Sequence, residues 1–374
     1  MHGALGTTVL HELGQYVSRQ TAMDLNRGDA GLDAKVARLL DANLDRAREG
    51  LRVVEDWCRF GLDRDDLVIT LKDWRQRLGA LHREEYKQAR STETDSGAGL
   101  DHPAQLERHR PDHVVAANCA RVQEALRVLE EFARNNTPSL AHSAATIRYG
   151  LYDLEVTCLE ATRAGRRHSR LNEAQVCLLT CPSTDLVPTV EQALRSGVQM
   201  VQYREKTASD RQQLEQATTL AELCRRYGAL FIVNDRIDLA LAVNADGVHL
   251  GQDDLPTDVA RRLIGTERLL GRSTHTLDEV RRADAEGCDY LGLGPAFSTS
   301  VKPEKAPIDL NLLTEATDVT HRPVFAIGGI DANNVPTLIE HGCRHIAVIG
   351  AIMKANDPAA ASQALLRLLS RPHF

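Results

Sequence analysis

The stretch VQMVQYREKTASDRQQLEQATTLAELCRRYGALFIVND (198–235) places two short apolar segments on either side of a helical one. The outer segments are rich in β-branched and aromatic residues, which is typical of strands. Residues 210–228 between them form a helical segment of ordinary length. Fully apolar strands joined by helices are characteristic of a parallel sheet covered by helices. The stretch therefore predicts a β-α-β unit.

The same alternation of strand and helix continues through residues 174–374. Eight strand candidates occur in it: QVCLLTC (175–181), VQMVQYR (198–204), ALFIVND (229–235), DGVHLG (246–251), RLLGRSTH (268–275), DYLGLGPAF (289–297), PVFAIGGI (323–330) and HIAVIGAI (345–352). Eight such units in a segment of this length predict a compact (β/α)8 TIM barrel. An open doubly wound sheet is the alternative, but no G-x-G-x-x-G follows the first strand.

Residues 31–164 contain almost no strand signal. The segment ANLDRAREGLRVVEDWCRF (42–60) is repeated, at an offset of 75 residues, as ANCARVQEALRVLEEFARN (117–135). A second helical segment follows each copy, at 71–86 and 142–163. We predict an all-α helical bundle built from a duplicated helical hairpin, so that the whole chain has an α/β fold with a bundle before the barrel.

Asn43 and Asn118 are polar residues that face the apolar stripe of the repeated helices. They form either a paired polar site with Arg46 and Arg121, or structural hydrogen bonds to neighbouring groups. The second interpretation is favoured, because buried polar groups need partners and duplicated helices repeat structural residues as readily as functional ones. The sequence of this half does not indicate what it does.

The ends and the junction of the two halves complete the predicted domains. Residues 1–30 are predicted to be a poorly ordered extension, with Met23 as an alternative start, and the basic residues 165–173 a linker. No signal peptide and no run of about 18 apolar residues is present, so we expect a cytoplasmic protein with no membrane partner.

The net charge and the cysteines indicate which partners and which cellular compartment to expect. The net charge of −7 argues against a nucleic-acid partner. The eight cysteines include no C-x-x-C pair and mostly lie within apolar runs, which indicates buried thiols in a reducing compartment.

Catalytic groups of such barrels lie at the C-terminal ends of the strands. Gln202, Arg204 and Lys206 alternate along the end of the second strand, so they face one side. Two cations and an amide suit a polyanion such as a diphosphate, since Arg binds oxygen atoms in a fork and Lys is a point charge. A salt-bridged strand end is the alternative.

Acidic side chains follow the next two strands. Asn234 and Asp235 end the third strand, and Asp253 and Asp254 come just after the fourth. Carboxylates from neighbouring strand ends are typical Mg2+ ligands, with positions left for water and substrate phosphate. The alternative is that Asp254 caps the following helix. Together with the cations of the second strand, the pattern favours the Mg2+ site.

The last two strands end in glycine-containing loops, Gly328-Gly329 and Ile349-Gly350, which are typical of a phosphate site made by backbone N–H groups. The site thus has two ends that each bind an anion, either from two phosphorylated molecules or from one molecule with two phosphates. Further candidates lie between these ends: His249, Ser273, Thr299 and Lys302. Thr299 and Lys302 belong to a polar loop that we expect to act as a lid.

These motifs resemble thiamine-phosphate synthases throughout residues 174–374. The resemblance is carried by VQYREK, FIVNDRIDLALAVNADGVHLGQDD, GRSTHT, GLGPAFST with its following Lys, FAIGGI and VIGAI. It implies a transferase that joins a pyrimidine diphosphate to a thiazole phosphate and releases pyrophosphate, with Mg2+ as cofactor. The helical half resembles the extension of longer, cyanobacterial-type members.

The resemblance also implies roles for individual residues. Arg204, Lys206, Asn234 and Lys302 would hold the diphosphate, and Asp235 and Asp254 would bind Mg2+. The pyrimidine would contact Gln202 and Ser273, and His249 would lie near the thiazole. The thiazole phosphate would be held by Thr299, Gly328, Gly329, Ile349 and Gly350.

Two positions depart from the family pattern. The usual lid motif is Pro-Thr-x-Thr-Lys, whereas residues 298–302 are Ser-Thr-Ser-Val-Lys. Gly350 stands where the family often has Ser, so a phosphate contact there would rest on the backbone alone.

Other functions remain open at this point. A thiazole tautomerase on the same barrel would need the monophosphate site but not the diphosphate clamp. The helical half is alternatively a protein-binding module or the site of a separate reaction. The oligomeric state, a homo-oligomer included, is left open by the sequence.

Overall fold

The computed structural model describes residues 32–90, 110–299 and 305–370. The predicted N-terminal extension, 1–30, lies outside these residues. The chain divides into two compact units between Cys158 and Leu159. No helix in the described part is both long enough and apolar enough to cross a membrane.

The first unit is helical. Its helices are α1 (Ala34–Phe60), α2 (Asp65–Ala80), α3 (Glu84–Gln88) and α4 (Pro111–Ala133), and α5 (Pro138–Glu173) begins in it. Helix α1 begins after Asp33, whose carboxylate accepts a hydrogen bond from the Lys35 amide, and ends at Gly61. Its apolar stripe is buried as predicted from the 3.6-residue period: Leu44, Ala47, Leu51, Val54 and Cys58.

The two helical hairpins, α1–α2 and α4–α5, contain matching ion pairs. Arg75 Nε lies 2.9 Å from Glu55 Oε2, and Arg148 Nη2 lies 3.0 Å from Glu130 Oε2. Both glutamates belong to the repeated segment and are 75 residues apart. The sequence repeat is therefore also a repeat of side-chain contacts.

Asn43 and Asn118 repeat a contact as well. The Nδ2 of each donates to the carbonyl four residues earlier in its own helix, at 2.9 Å for Leu39 and 2.8 Å for Val114. Both asparagines are buried, whereas Arg46 and Arg121 are exposed. The contacts are those of the structural interpretation, and the arginines do not join the asparagines in a buried polar site.

The second unit is a closed barrel of eight parallel strands in chain order, which confirms the predicted TIM-barrel fold. The strands are β1 (Val176–Leu179), β2 (Met200–Tyr203), β3 (Leu230–Asn234), β4 (Gly247–Leu250), β5 (Leu269–Thr274), β6 (Tyr290–Leu293), β7 (Val324–Ile327) and β8 (His345–Val348). The helices between and after them are α6 (Leu186–Arg195), α7 (Asp210–Tyr227), α8 (Ile237–Ala242), α9 (Thr257–Ile264), α10 (Leu277–Ala285), α11 (Asn311–Val319), α12 (Val335–Glu340), α13 (Gly350–Met353) and α14 (Pro358–Leu369).

Alternate residues of each strand pack on opposite faces. Val201 and Tyr203 of β2 pack in the cluster that includes the surrounding helices, whereas Met200 packs in a second cluster with Ile232 and Phe325. This alternation follows from the period of two in a strand, and it fills the barrel with side chains. The interior of the barrel is thus packed with side chains.

Residues 165–173 differ from the prediction, because they belong to helix α5 and are not a linker. The basic side chains have partners just before the strands. Arg167 Nε lies 2.9 Å from Asp246 Oδ1, His168 Nε2 lies 2.9 Å from Asp289 Oδ1, and Arg170 donates to the Gly228 carbonyl. Leu171 is buried in the same cluster as Met200. The charges that suggested a solvated linker bind acceptors at the N-terminal end of the barrel.

Candidate active site

A cavity of about 470 Å3 lies where the strands end. It brings together ten of the residues predicted from the sequence: Gln202, Arg204, Asn234, His249, Ser273, Thr299, Gly328, Gly329, Ile349 and Gly350. They come from seven strands or from the loops that follow them. The cavity is therefore at the end of the barrel where catalytic groups of this fold are found.

Lys206, Asp235 and Asp254 form a charged group that is not part of the cavity lining. Lys206 Nζ lies 3.3 Å from Asp235 Oδ2, and the Asp235 carboxyl also faces Asp254. Burial, and then the neighbouring Asp254 carboxyl, raise the pKa of Asp235, and Lys206 acts in the opposite direction. Two carboxyls that face each other fit a hard cation such as Mg2+, which would offset their repulsion.

Asp254 does not cap the helix that follows it. Helix α9 begins at Thr257 without a side-chain cap, and Asp254 Oδ2 instead accepts a hydrogen bond from the Gly251 amide at 2.6 Å. The bond fixes the carboxylate in a turn directly after β4. The capping alternative is thus wrong, and the Asp254 carboxyl faces Asp235.

Hydrogen bonds connect the side chains at the floor of the cavity. His249 Nε2 lies 3.0 Å from Ser273 Oγ, and His249 Nδ1 lies 3.2 Å from Tyr290 Oη. Tyr290, which also bonds Gln202, is completely buried, and burial raises its pKa well above the ordinary value. These groups form a polar wall with fixed orientations, suited to recognising donors and acceptors of a heterocycle.

The backbone conformation at the end of β7 requires glycine. Gly328 and Gly329 have φ values of 102° and 65°. A Cβ on Gly328 would lie 2.5 Å from the Pro295 Cβ, and one on Gly329 would lie 2.5 Å from the Ser298 carbonyl oxygen. Only glycine fits the conformation and the close approach, so the loop presents backbone to the cavity.

Some functional candidates were not predicted, and one lies outside the described residues. Lys302 falls within 300–304, which the structure does not describe. His275, Lys305 and Lys354 line the cavity although we did not select them. His275 is two residues after Ser273, so strand alternation is the signal that was missed. Loop and helix lysines have no such periodic signal.

No group of three or more His, Cys, Asp and Glu side chains suitable for a metal occurs within the described ranges.

Two family models match the chain, one in each half. The model described as thiamine monophosphate synthase matches residues 176–352, and the model described as ThiD2 family matches residues 38–157.

Curated relatives match over both halves together. The thiamine-phosphate synthase of Parasynechococcus marenigrum (strain WH8102) is 67% identical over 344 residues, which are 92% of this chain and 99% of that protein. That of Thermosynechococcus vestitus (strain NIES-2133 / IAM M-273 / BP-1) is 48% identical over 346 residues, covering 92% and 98%.

A solved structure matches the barrel. Thiamine phosphate pyrophosphorylase from Pyrococcus furiosus is 38% identical, with a TM-score of 0.50, and the match covers 54% of this chain and 97% of that one. The sequence match to the curated relatives covers nearly the full length of the chain, and it agrees with the site geometry. The chain therefore belongs to the thiamine-phosphate synthase family and is a transferase of thiamine biosynthesis.

Proposed function

We propose that the cavity joins 4-amino-2-methyl-5-(diphosphooxymethyl)pyrimidine to 4-methyl-5-(2-phosphoethyl)thiazole, or to its 2-carboxy form, giving thiamine phosphate and pyrophosphate. One structural observation supports this proposal most. The strands β2, β3 and β4 are followed by a lysine and two carboxylates, Lys206, Asp235 and Asp254, and β7 and β8 are followed by glycine loops. The two separate anion-binding ends of the site suit a diphosphate and a monophosphate.

The proposed mechanism is dissociative. The bond between the methylene carbon and the diphosphate oxygen breaks, and its electron pair leaves with pyrophosphate. The electron-rich aminopyrimidine stabilises the cation that remains. The lone pair of the thiazole nitrogen then forms the new C–N bond, so no oxidant or reductant is needed. With the 2-carboxy form, carbon dioxide is also lost and a proton takes its place.

The protein contributes mainly charge and position. Arg204, Lys206 and Asn234, with Lys302 of the lid, would bind the diphosphate and stabilise the charge that develops on it. Mg2+ held by Asp235 and Asp254 would supply further neutralisation of that charge. Thr299 and the glycine loops would fix the thiazole phosphate, so that the nitrogen is aimed at the cation.

The floor of the cavity would hold the pyrimidine. Gln202 and Ser273 would bind its ring nitrogen atoms and amino group. Both ring nitrogens of His249 are already engaged, by Ser273 and Tyr290, so His249 serves as a fixed wall beside the thiazole and not as a free general base. This agrees with a reaction that requires no base for its bond-forming step.

The cellular setting is part of the proposal. We place the enzyme in the cytoplasm, in accordance with eight cysteines that form no disulfide, seven of them buried. A reducing compartment keeps such thiols free.

The test of the proposed function is the product. Full-length protein with Mg2+ and both substrates should form thiamine phosphate and pyrophosphate in equal amounts, measured by mass spectrometry and a pyrophosphate assay. Either substrate alone should give no product. Pyrophosphate release without the thiazole phosphate would indicate a hydrolase instead.

A further inference from the structure

Lys305 lines the cavity and belongs to neither phosphate site as predicted from the sequence. Its Nζ lies 2.6 Å from Nε2 of His275. Within the ranges that the structure describes, no carboxylate forms an ion pair with Lys305. Among the described residues, the side-chain partner of this ammonium at the cavity wall is thus His275.

The partners of His275 indicate which of its ring nitrogens donates and which accepts. Its Nδ1 lies 2.5 Å from the Gly294 carbonyl oxygen, which only accepts hydrogen bonds, so Nδ1 carries the proton. The Nε2 atom is then an acceptor for the Lys305 ammonium. The His275 amide also donates to Glu279 Oε2 at 2.6 Å, which fixes the start of helix α10. His275 is thus a firmly held acceptor for Lys305.

The position of Lys305 in the barrel indicates which anion it faces. It belongs to the loop after β6, and that loop is bonded to the end of β7: Ala296 donates to the Ile327 carbonyl and Phe297 to the Gly328 carbonyl. The residues proposed to bind the diphosphate and Mg2+ follow β2, β3 and β4, which lie four, three and two strands away around the closed barrel, whereas β7 is next to β6. Lys305 is thus on the side of the glycine loops.

We propose that Lys305 is a further substrate-binding residue for the phosphate of the thiazole substrate, and that His275 is a positioning residue that acts through Lys305. The proposal rests on the proposed function. The predicted phosphate site offers backbone N–H groups and the Thr299 hydroxyl, and Gly350 adds no side chain. A phosphate dianion bound there gains a charge-assisted hydrogen bond from Lys305.

Steady-state kinetics of the full chain tests the role of Lys305. Lys305→Met should raise KM for the thiazole phosphate about tenfold, the effect of losing one charge-assisted contact. The kcat and the KM for the pyrimidine diphosphate should stay within about twofold of the wild-type values. The lost contact holds the thiazole phosphate equally in the ground state and in the transition state. Lys72→Met, which removes an exposed charge of helix α2, is the matched control and should change neither KM.

A double-mutant cycle tests the positioning role of His275. His275→Leu should raise KM for the thiazole phosphate in the wild-type background, and His275→Gln, which keeps an acceptor for Lys305, should raise it less. In the Lys305→Met background, His275→Leu should cause no further increase, because the partner through which it acts is gone.

Two results would overturn the inference. One is a KM for the thiazole phosphate that Lys305→Met leaves unchanged. The other is an effect of His275→Leu that is equally large with and without Lys305. Failure of the proposed function looks different, because the wild-type protein would then form no thiamine phosphate. In that case, calorimetric binding of the thiazole phosphate to wild-type and Lys305→Met protein decides the inference separately.

Discussion

Lys206 Nζ lies 3.3 Å from Asp235 Oδ2, so a cation proposed to bind the diphosphate contacts a carboxylate proposed to bind Mg2+. The lysine offsets part of the charge of the two facing carboxyls. Under the proposed function, Mg2+ bound by the carboxylates would leave the lysine to the diphosphate.

Lys206→Met should lower kcat/KM for the pyrimidine diphosphate about a hundredfold, in the range seen when one transition-state donor is removed. Lys206→Arg keeps the charge and should lose less. The measurement is the initial rate of thiamine phosphate formation at low diphosphate concentration. Equal rates for wild-type and Lys206→Met protein would remove Lys206 from the diphosphate site.

Gly328→Ala should raise KM for the thiazole phosphate at least about tenfold and cost about 1–3 kcal/mol of stability, because the added Cβ meets Pro295 in a left-handed backbone. Gly287→Ala is the matched control, since Gly287 has a φ of 78° and nothing within 4 Å of its added Cβ. It should cost about 1–2 kcal/mol of stability from the backbone alone and leave KM unchanged. Thermal unfolding and steady-state kinetics check both variants. If the two alanines alter KM equally, the close approach at Gly328 is not important for binding.

The ion pair between His168 and Asp289 should make stability depend on pH. The hydrogen bond to Asp289 raises the pKa of His168, so its contribution is complete below the unfolded value of about 6.5 and is lost as pH rises through the folded value. Although burial raises the pKa of Asp289, bonds from His168 and Arg261 bring it below the ordinary value. The contribution of Asp289 is therefore lost only under more acidic conditions.

His168→Gln should therefore lower Tm by about 1–2 °C more at about pH 5.5 than at about pH 8.5. The effect is small because 39% of the His168 side chain is exposed. A difference in Tm that grows with pH would show that the imidazolium is not the stabilising form.

The duplicated ion pairs of the helical half should differ in strength. The Arg148 side chain is 9% exposed and that of Arg75 is 25% exposed, and Arg148 also donates to Tyr152 Oη at 3.0 Å, so Arg148→Met removes the more deeply buried arginine and the larger set of contacts. We expect a loss of about 2–3 kcal/mol for Arg148→Met and about 1 kcal/mol for Arg75→Met. The two tryptophans of the chain, Trp57 and Trp74, both belong to this half, so their fluorescence during urea unfolding reports the difference. A larger loss for Arg75→Met would contradict the order.

The fold was predictable because each strand carries a local signal. Short apolar runs such as 229–235 alternate with helices, and this repeats eight times, which leaves few topologies. The basic run 165–173 was misassigned because its helical state depends on partners far along the chain, Asp246 and Asp289 among them. Composition alone does not reveal such tertiary partners.

The site was predictable where residues extend a strand. Gln202 and Arg204 follow the period of two, and both line the cavity. Lys305 was missed because the path of a loop decides where its side chain arrives, and that path has no periodic signature. Its hydrogen bond to His275, 30 residues earlier, becomes visible only in three dimensions.

The most direct test of the central claim compares thiamine phosphate formation by full-length wild-type protein and by Asp254→Ala, with Mg2+ and both substrates present. We predict turnover by the wild type, and a loss of at least about a hundredfold in a folded Asp254→Ala protein, since the charge on the leaving diphosphate is then poorly neutralised. Equal turnover by the two proteins, or none by folded wild-type protein, would contradict the account.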